Sequence, residues 1–242
     1  MVPSPCPVDT NPNQNQSSVA RKVLVLDVGG SNVKLRLSGE TVRLKIRTSG
    51  GCTPDRLVAD IKAQTSGWRY DAATIGFPAP VIEGRIPFEP QNLGEGWVDF
   101  NFEHALGCPV RLVNDAAMQA VGCYEGGRML FLSLGTGLGS ALVVDHQVVG
   151  LELCELRWDR KESLEQRLGK AGLRRLGRSC WERCVHEAAA LLRRAFLPDS
   201  VVVGGGSAKH LEHLPDWIRR ASNEQALAGG ERLWTDPRFV VR

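Results

Sequence analysis

Residues 22–37 read KVLVLDVGGSNVKLRL and join two apolar runs through a glycine turn. The first run, from Val23 to Val28, is almost continuous, which is typical of a strand buried on both faces. In the second run, from Val33 to Leu37, apolar and charged residues alternate, which indicates a strand with one face in water. The turn at 29–32 is compatible with an ordinary tight hairpin. It is also compatible with an anion site, because its glycines can leave backbone N–H groups bare.

Composition and charge narrow the class of protein. The chain has 242 residues, enough for one large or two ordinary domains, and a net charge of +3, too small to indicate nucleic acid or a membrane surface. Its seven cysteines are an odd number without a CxxC pair, which favours free thiols in a reducing cytosol over disulfides or a zinc site. No apolar run approaches the roughly 18 residues of a membrane span. We therefore expect a cytoplasmic protein that binds neither nucleic acid nor membrane.

A polar tail precedes the folded part of the chain. Residues 1–21 are rich in Pro, Asn, Gln and Ser and predict a disordered tail. From Lys22 the pattern predicts a three-stranded antiparallel meander, whose third strand runs from Thr41 to Arg47. Thr53, followed by a proline, predicts the start of a helix.

Two loops in the first half are candidates for ligand binding. The strand predicted at Ala72 to Phe77 ends in a proline-rich loop, and residues 90–97, PQNLGEGW, form a second loop whose glycines would present Asn92 and Trp97. Open α/β sheets place their ligands in loops that follow strands. We therefore expect Asn92 to face a ligand.

Asn114 and Asp115 stand between a predicted strand, Val110 to Val113, and a helix of small residues. Either side chain could cap that helix, since Asn and Asp both accept hydrogen bonds from the first helical N–H groups. A carboxylate at the start of a helix could equally serve as a catalytic base. The two residues by themselves do not separate these readings.

A second glycine hairpin follows about a hundred residues after the first. Met129 to Leu134 and Ser140 to Val144 predict two strands, and Gly135 to Gly139 a turn between them. The recurrence predicts a duplicated α/β protein with lobes at 22–114 and 115–242 and a cleft between them, with an anion-binding turn on each wall. Neither a GxGxxG fingerprint nor a P-loop fits the glycine spacing.

Four motifs in order resemble the ROK sugar kinases of the actin-like ATPase superfamily, above all the polyphosphate-type glucokinase branch. They are DVGGSNVK at 27–34, NDAAMQA at 114–120, LSLGTGLGSALVVD at 132–145 and VVVGGG at 201–206. The resemblance covers residues 22–234. It implies an actin-like (ribonuclease H-like), two-lobed α/β fold with a central cleft, a homodimer, and phosphoryl transfer to a hexose from ATP or polyphosphate with Mg²⁺.

The resemblance also implies a role for individual residues. The first phosphate site would consist of Asp27, Gly29, Gly30, Ser31 and Lys34, with Asp27 also holding Mg²⁺. The second would consist of Gly135, Thr136, Gly137 and Gly139, and the nucleoside would lie against Gly204, Gly205 and Gly206. The sugar would contact Asn92, Asn114, Asp115, Glu152 and Glu155. Asp115 would take the proton from the attacking hydroxyl.

One segment departs from the family pattern. The family carries Glu-Leu-Gly-His after the second phosphate turn, whereas this chain has Glu-Leu-Cys-Glu at 152–155, so Glu155 replaces a sugar-binding histidine. The cysteine-rich zinc loop of many members is absent from the sequence. Two functions therefore stay open. One is a hexose kinase, with the 6-hydroxyl of glucose as the expected acceptor, and the other is a catalytically weakened sugar- or nucleotide-binding protein with a regulatory role.

The segment from Glu162 to Leu197 predicts two helices with one strongly basic face. Such a face is compatible with simple solvation or with a track for a long polyanionic donor such as polyphosphate. Its basic residues are Arg167, Lys170, Arg174, Arg175, Arg178, Arg183, Arg193 and Arg194.

Overall fold

The computed structural model describes residues 21–29, 32–48, 51–91 and 93–242. The predicted tail except Arg21, and the predicted site residues Gly30, Ser31 and Asn92, lie outside these ranges. Among the residues described, no helix combines the length and apolarity needed to cross a membrane.

The first sheet contains the opening hairpin and has the strand order β3-β2-β1-β4-β5. β1 pairs antiparallel with β2 and parallel with β4, and β5 extends the parallel side. All six residues of β1 are buried, as the continuous apolar run predicts. The strands are β1 (Val23–Val28), β2 (Asn32–Leu37), β3 (Arg43–Arg47), β4 (Ala72–Phe77) and β5 (Val110–Asn114).

The second sheet has the order β10-β9-β6-β7-β8-β11. Here β6 pairs antiparallel with β7 and parallel with β9. The strands are β6 (Arg128–Leu134), β7 (Leu138–Val144), β8 (Gln147–Leu151), β9 (Ser200–Gly204), β10 (Ile218–Arg220) and β11 (Val240–Val241). The order β8-β7-β6-β9-β10 repeats β3-β2-β1-β4-β5 strand for strand. The duplication predicted from the two glycine hairpins is therefore confirmed.

The helices of the first half begin at residues whose side chains or ring geometry favour a helix start. Thr53 caps α1, with Pro54 at its first position, and Asn101 caps α2. The helices are α1 (Pro54–Gln64), α2 (Phe102–Leu106), α3 (Asp115–Cys123), α4 (Leu164–Leu168), α5 (Lys170–Leu176), α6 (Arg178–Phe196) and α7 (Asn223–Thr235).

The basic segment forms three helices, so the prediction of two was wrong. Gly169 ends α4 and Gly177 ends α5. Gly169 is packed so closely that an added Cβ would lie 2.8 Å from the carbonyl oxygen of Thr136, and Gly177 has φ +74°. Both constraints break the helical path.

Helices α3 and α7 cross in contact with both sheets. A Cβ on Gly229 would lie 1.8 Å from the carbonyl oxygen of Met118, and one on Gly122 would lie 1.8 Å from that of Gln225. The two backbones therefore touch without intervening side chains. Gly230 likewise meets Val25 of β1, where an added Cβ would lie 2.4 Å from a methyl carbon.

The sequence reading missed α7 because Gly229 and Gly230 lower its helix propensity. In the structure they are required by the close packing described above, and Ser222 provides a capping box at the helix start. α7 also contacts the first sheet: Thr74 of β4 donates to the Gly230 carbonyl (2.8 Å), and Arg36 pairs with Glu231 (2.6 Å). The division into lobes at 22–114 and 115–242 stays a proposal, since α7 belongs to the second range by sequence but contacts the first sheet.

Candidate active site

Asn114 and Asp115 lie where β5 passes into α3. The Asn114 side-chain oxygen accepts hydrogen bonds from the N–H groups of Ala116 (2.9 Å) and Ala117 (3.2 Å), so Asn114 is the helix cap. Its amide nitrogen donates to the Ala79 carbonyl (3.3 Å). Capping therefore does not require Asp115, and the role of Asp115 as a base stays a prediction.

Small residues on both sheets allow the chain to close around Asp115. A Cβ on Gly76 of β4 would lie 3.3 Å from the Asp115 Cα, and a Cβ on Gly139 of β7 would lie 3.9 Å from its Oδ1. The carboxylate is therefore placed between the first sheet and the second hairpin. The residue as a whole is half-buried.

The surroundings of Asp115 raise its pKa to about 7. Burial is the largest cause, followed by the negative charge of Asp27, and Glu152 adds a smaller repulsion. The Ala116 N–H group, which donates to Oδ1 at 2.7 Å, and the Lys34 ammonium act in the opposite direction. A carboxylate with such a pKa exchanges a proton near neutral pH, as a general base should.

An ion pair with a buried carboxylate joins the two strands that flank the first glycine turn. Asp27 is only 7% exposed, and the Lys34 ammonium, directly opposite it in the β1–β2 register, donates to its Oδ2 at 2.8 Å. The Gly29 N–H donates to the Asn32 carbonyl (2.9 Å) and closes the hairpin. The hairpin thus uses the Gly29 N–H itself, as in an ordinary tight turn.

The second glycine turn is braced by the start of α5. Its Gly135 N–H donates to the Gly137 carbonyl (3.0 Å), while the Gly135 and Thr136 carbonyls accept from the Lys170 N–H (3.1 and 3.2 Å). Within the described part of the chain, the N–H groups of Thr136 and Gly137 donate to no protein acceptor. Those two donors are available to an anion.

A carboxylate that the sequence reading did not single out lies against this turn. A Cβ on Gly137 would lie 2.9 Å from the Glu165 carboxyl carbon. Glu165 also raises the pKa of Glu152, so it lies near the predicted sugar side as well. No local pattern marks Glu165, because its position depends on the packing of Gly169 on the turn.

The glycines at 204–206 follow β9, beside the second turn. The Ser207 N–H donates to the Leu134 carbonyl (2.8 Å), which ties this segment to the end of β6. Gly205 has φ +82°, and a Cβ there would lie 2.5 Å from the Leu134 oxygen. Only glycine fits at this position. The second glycine turn and residues 204–206 thus lie side by side and form one continuous surface.

Glu152 and Glu155 lie on a short 3-10 turn that follows β8. The Cys154 thiol donates to Oε2 of Glu152 (3.3 Å), and burial together with that carboxylate raises the thiol pKa to about 12. Burial also raises the pKa of Glu152, and the charges of Glu155 and Glu165 add to that effect. Glu155 is exposed beside Glu152.

Trp97 does not face the site. It is fully buried, and its ring packs against Phe77 at 5.0 Å and Phe102 at 6.4 Å. The expectation that glycines present Trp97 to a ligand was wrong, because the apolar ring is placed in the core of the first sheet.

Several arginines of the basic segment have partners inside the molecule. Arg167 and Arg175 both contact Glu162, and Arg178 contacts Glu212. Arg193 lies over the Trp217 ring at 5.0 Å. These contacts favour a structural role for part of this face over a continuous anion track.

No group of three or more His, Cys, Asp or Glu side chains is arranged to hold a metal ion in the portion of the chain that is described. The Asp27 carboxylate nevertheless offers the oxygen ligand that Mg²⁺ prefers. The negative charge of Asp27 raises the pKa of Asp115, and the Lys34 ammonium compensates that effect only partly.

The solved structures that match this fold include sugar kinases and a transcriptional regulator, whereas no protein-family model and no curated protein sequence matches the chain. An inorganic polyphosphate/ATP-glucomannokinase from Arthrobacter sp. strain KM matches with TM-score 0.77 and 21% identity, over 89% of this chain and 98% of that one. A ROK family glucokinase from Streptomyces griseus, in complex with glucose and AMPPNP, matches with TM-score 0.70 and 17% identity, over 88% and 98%. A ROK family transcriptional regulator, a homolog of the E. coli MLC protein, matches with TM-score 0.69 and 16% identity, over 89% and 78%. The chain therefore has the α/β fold of the ROK sugar kinases, as its motifs predict.

Proposed function

We propose that the protein is a ROK-type sugar kinase that transfers a phosphoryl group from ATP or polyphosphate to a hexose, with glucose as the first acceptor to test. The observation that carries this proposal is Asp115. Asn114 caps the helix, and the Asp115 carboxylate, which also accepts from the Ala116 N–H, lies near Gly139 and Asp27 of the two hairpins and has a pKa of about 7.

In the proposed reaction Asp115 takes the proton of the hexose hydroxyl. The hydroxyl oxygen then bonds to the terminal phosphorus of the donor, and the bond from that phosphorus to the bridging oxygen breaks. The Thr136 and Gly137 N–H groups compensate charge on the phosphate oxygens. A base of this kind typically contributes roughly 10²- to 10⁴-fold in rate.

Asp27 would hold Mg²⁺ that accompanies the donor. Asp27 fits this role, since a carboxylate oxygen is a ligand that Mg²⁺ prefers. A further positive charge there would also reduce the repulsion between Asp27 and Asp115. When bound, the cation would neutralise charge on the phosphate oxygens. Lys34, half-exposed at the same place, supplies a permanent positive charge.

A second candidate function is a sugar- or nucleotide-binding protein with little turnover. Two observations favour it: Glu165 places negative charge against the second turn, and the Gly29 N–H is used within the hairpin. The resemblance adds a third reason, since it implies that Glu155 stands where the family carries a sugar-binding histidine. A carboxylate can only accept hydrogen bonds, whereas a neutral imidazole both donates and accepts.

The test is to measure hexose phosphorylation with ATP·Mg²⁺ and with polyphosphate·Mg²⁺, and hexose binding by calorimetry on the same preparation. Turnover with either donor supports the kinase. Binding of hexose without turnover by either donor supports the second candidate and contradicts the first.

A further inference from the structure

The carboxylate of Glu152 is placed in a repulsive environment. Glu155 on the same turn, Glu165 on α4 and Asp115 at the start of α3 all carry negative charge near it. Without a hydrogen-bond donor, such a carboxylate would turn away from its neighbours toward solvent. A sugar-binding role for Glu152 therefore requires groups that hold it in place.

Two buried side chains provide that hold. Ser140, 1% exposed, donates through its hydroxyl to the Leu151 carbonyl (2.7 Å) and accepts from the Leu153 N–H (3.2 Å). These two peptide groups stand on either side of Glu152. Cys154, 6% exposed, donates its thiol proton to the Glu152 carboxylate itself (3.3 Å).

We propose that Ser140 and Cys154 are positioning residues that fix Glu152 for the acceptor sugar, a role that rests on the kinase function proposed above. Ser140 fixes the backbone of Glu152, and Cys154 fixes its carboxylate. Because the thiol is buried beside a carboxylate, it stays protonated and acts as a hydrogen-bond donor, not as a nucleophile.

The position of Ser140 also connects the two halves of the site. It follows Gly139 directly on β7, and Gly139 is the residue that approaches Asp115. One strand therefore carries the end of the second phosphate turn, the contact with the base and the hydroxyl that holds Glu152. A shift of β7 would move donor and acceptor groups together.

The experiment compares Ser140→Ala, Cys154→Ala and Cys154→Ser with the parent protein. We expect the two alanine variants to raise the KM for hexose about tenfold with a smaller change in kcat, since misplacing a binding group by about 1 Å can cost up to about 10²-fold. Cys154→Ser keeps a donor and should restore a KM close to the parent value. In Cys154→Ala the pKa of Glu152 should rise, because the thiol hydrogen bond lowers it, so the KM for hexose should begin to increase at a higher pH on acidification than in the parent.

Ser133→Ala is the matched control. Ser133 is also a buried strand serine of the second sheet, but its hydroxyl donates to Gln119 (3.2 Å) and has no contact with the 152–155 turn. Its KM for hexose should stay near the parent value even if its thermal stability falls. If Ser140→Ala does not fold, the comparison of Cys154→Ala with Cys154→Ser is sufficient for the test.

The possible outcomes distinguish a failure of the positioning role from a failure of the kinase function. If the parent turns over hexose but the alanine variants keep its KM, the positioning role is overturned and the kinase stands. An equal KM increase in Cys154→Ala and Cys154→Ser also overturns it, because the donor would not matter. If the parent phosphorylates no hexose, the kinase function fails and the positioning role fails with it.

Discussion

At the scale of single residues, Asp115 determines how the protein should respond to pH. Its carboxylate must be ionised to accept a proton, and its pKa is about 7. We therefore expect kcat/KM for hexose to rise as the pH increases through about 7. The measurement is kcat/KM from pH 5 to 9, under conditions where the protein stays folded. A profile that is flat from pH 5 upward would mean that a group with an ordinary carboxylate pKa is the base.

The same raised pKa affects stability. The folded protein holds a proton on Asp115 up to about pH 7, whereas the unfolded chain releases it near the ordinary Asp pKa of 3.8. The stability contributed by this group is thus fully present below pH 3.8 and is lost as the pH rises through about 7.

Asp115→Asn should therefore be more stable than the parent at pH 8, by about 1–3 kcal/mol, and should lose that advantage toward pH 4. Urea unfolding at several pH values measures the difference. Asp99→Asn is the control, because that carboxylate is 66% exposed and its nearest ion-pair contact, with Arg85, is 3.9 Å long. An advantage of Asp115→Asn that does not change with pH would contradict the assignment of the raised pKa.

At the scale of elements, the crossing of α3 and α7 joins the two sheets through glycine contacts. Gly229→Ala would place a methyl group 1.8 Å from the Met118 carbonyl oxygen, so the helices must separate. We expect a loss of about 3 kcal/mol or more in the free energy of unfolding. Gly67→Ala, where no atom lies within 4 Å of the added Cβ, should change it by at most about 0.5 kcal/mol. Equal stability of the two variants would mean that the helices do not cross as described.

Local sequence pattern predicts the elements whose signal is local. The two hairpins, Thr53 at the start of α1 and the strand before Asn114 all follow from periodicity and capping chemistry, and the structure contains them. The pattern fails where long-range packing determines the residue type, as in α7. Its Gly229 and Gly230 are unfavourable for a helix by propensity, but Met118 and Val25 leave no room for a side chain at either position. The candidate site behaves likewise: motifs predict Asp27 and Asp115 as its members, whereas the positions of Glu165 and Ser140 depend on contacts between distant segments.

At the scale of the whole molecule, the open question is the phosphoryl donor. Polyphosphate would be bound mainly by charge neutralisation, so its affinity should fall steeply with salt. Arg174 and Arg183 are exposed on the basic helices, and no salt bridge engages either one in the described ranges. We expect Arg174→Ala with Arg183→Ala to weaken polyphosphate use severalfold and leave the KM for ATP nearly unchanged.

The control for that experiment is Arg85→Ala, an exposed arginine of the first half of the chain. Turnover is measured with both donors between about 50 and 300 mM salt. An affinity for polyphosphate that is independent of salt, or an equal loss of polyphosphate use in the Arg85→Ala control, would contradict a role of the basic helices in donor binding. Such a result leaves ATP as the donor.

The central claim is that Asp115 is the base of a hexose kinase, and turnover by Asp115→Asn tests it most directly. The helix cap is intact in this variant, because Asn114 provides it, and Asn has nearly the shape of Asp. We predict that the variant folds, binds hexose about as well as the parent, and has kcat lowered at least about 10²-fold with either donor. Phosphorylation of hexose by Asp115→Asn at close to the parental rate would contradict the claim.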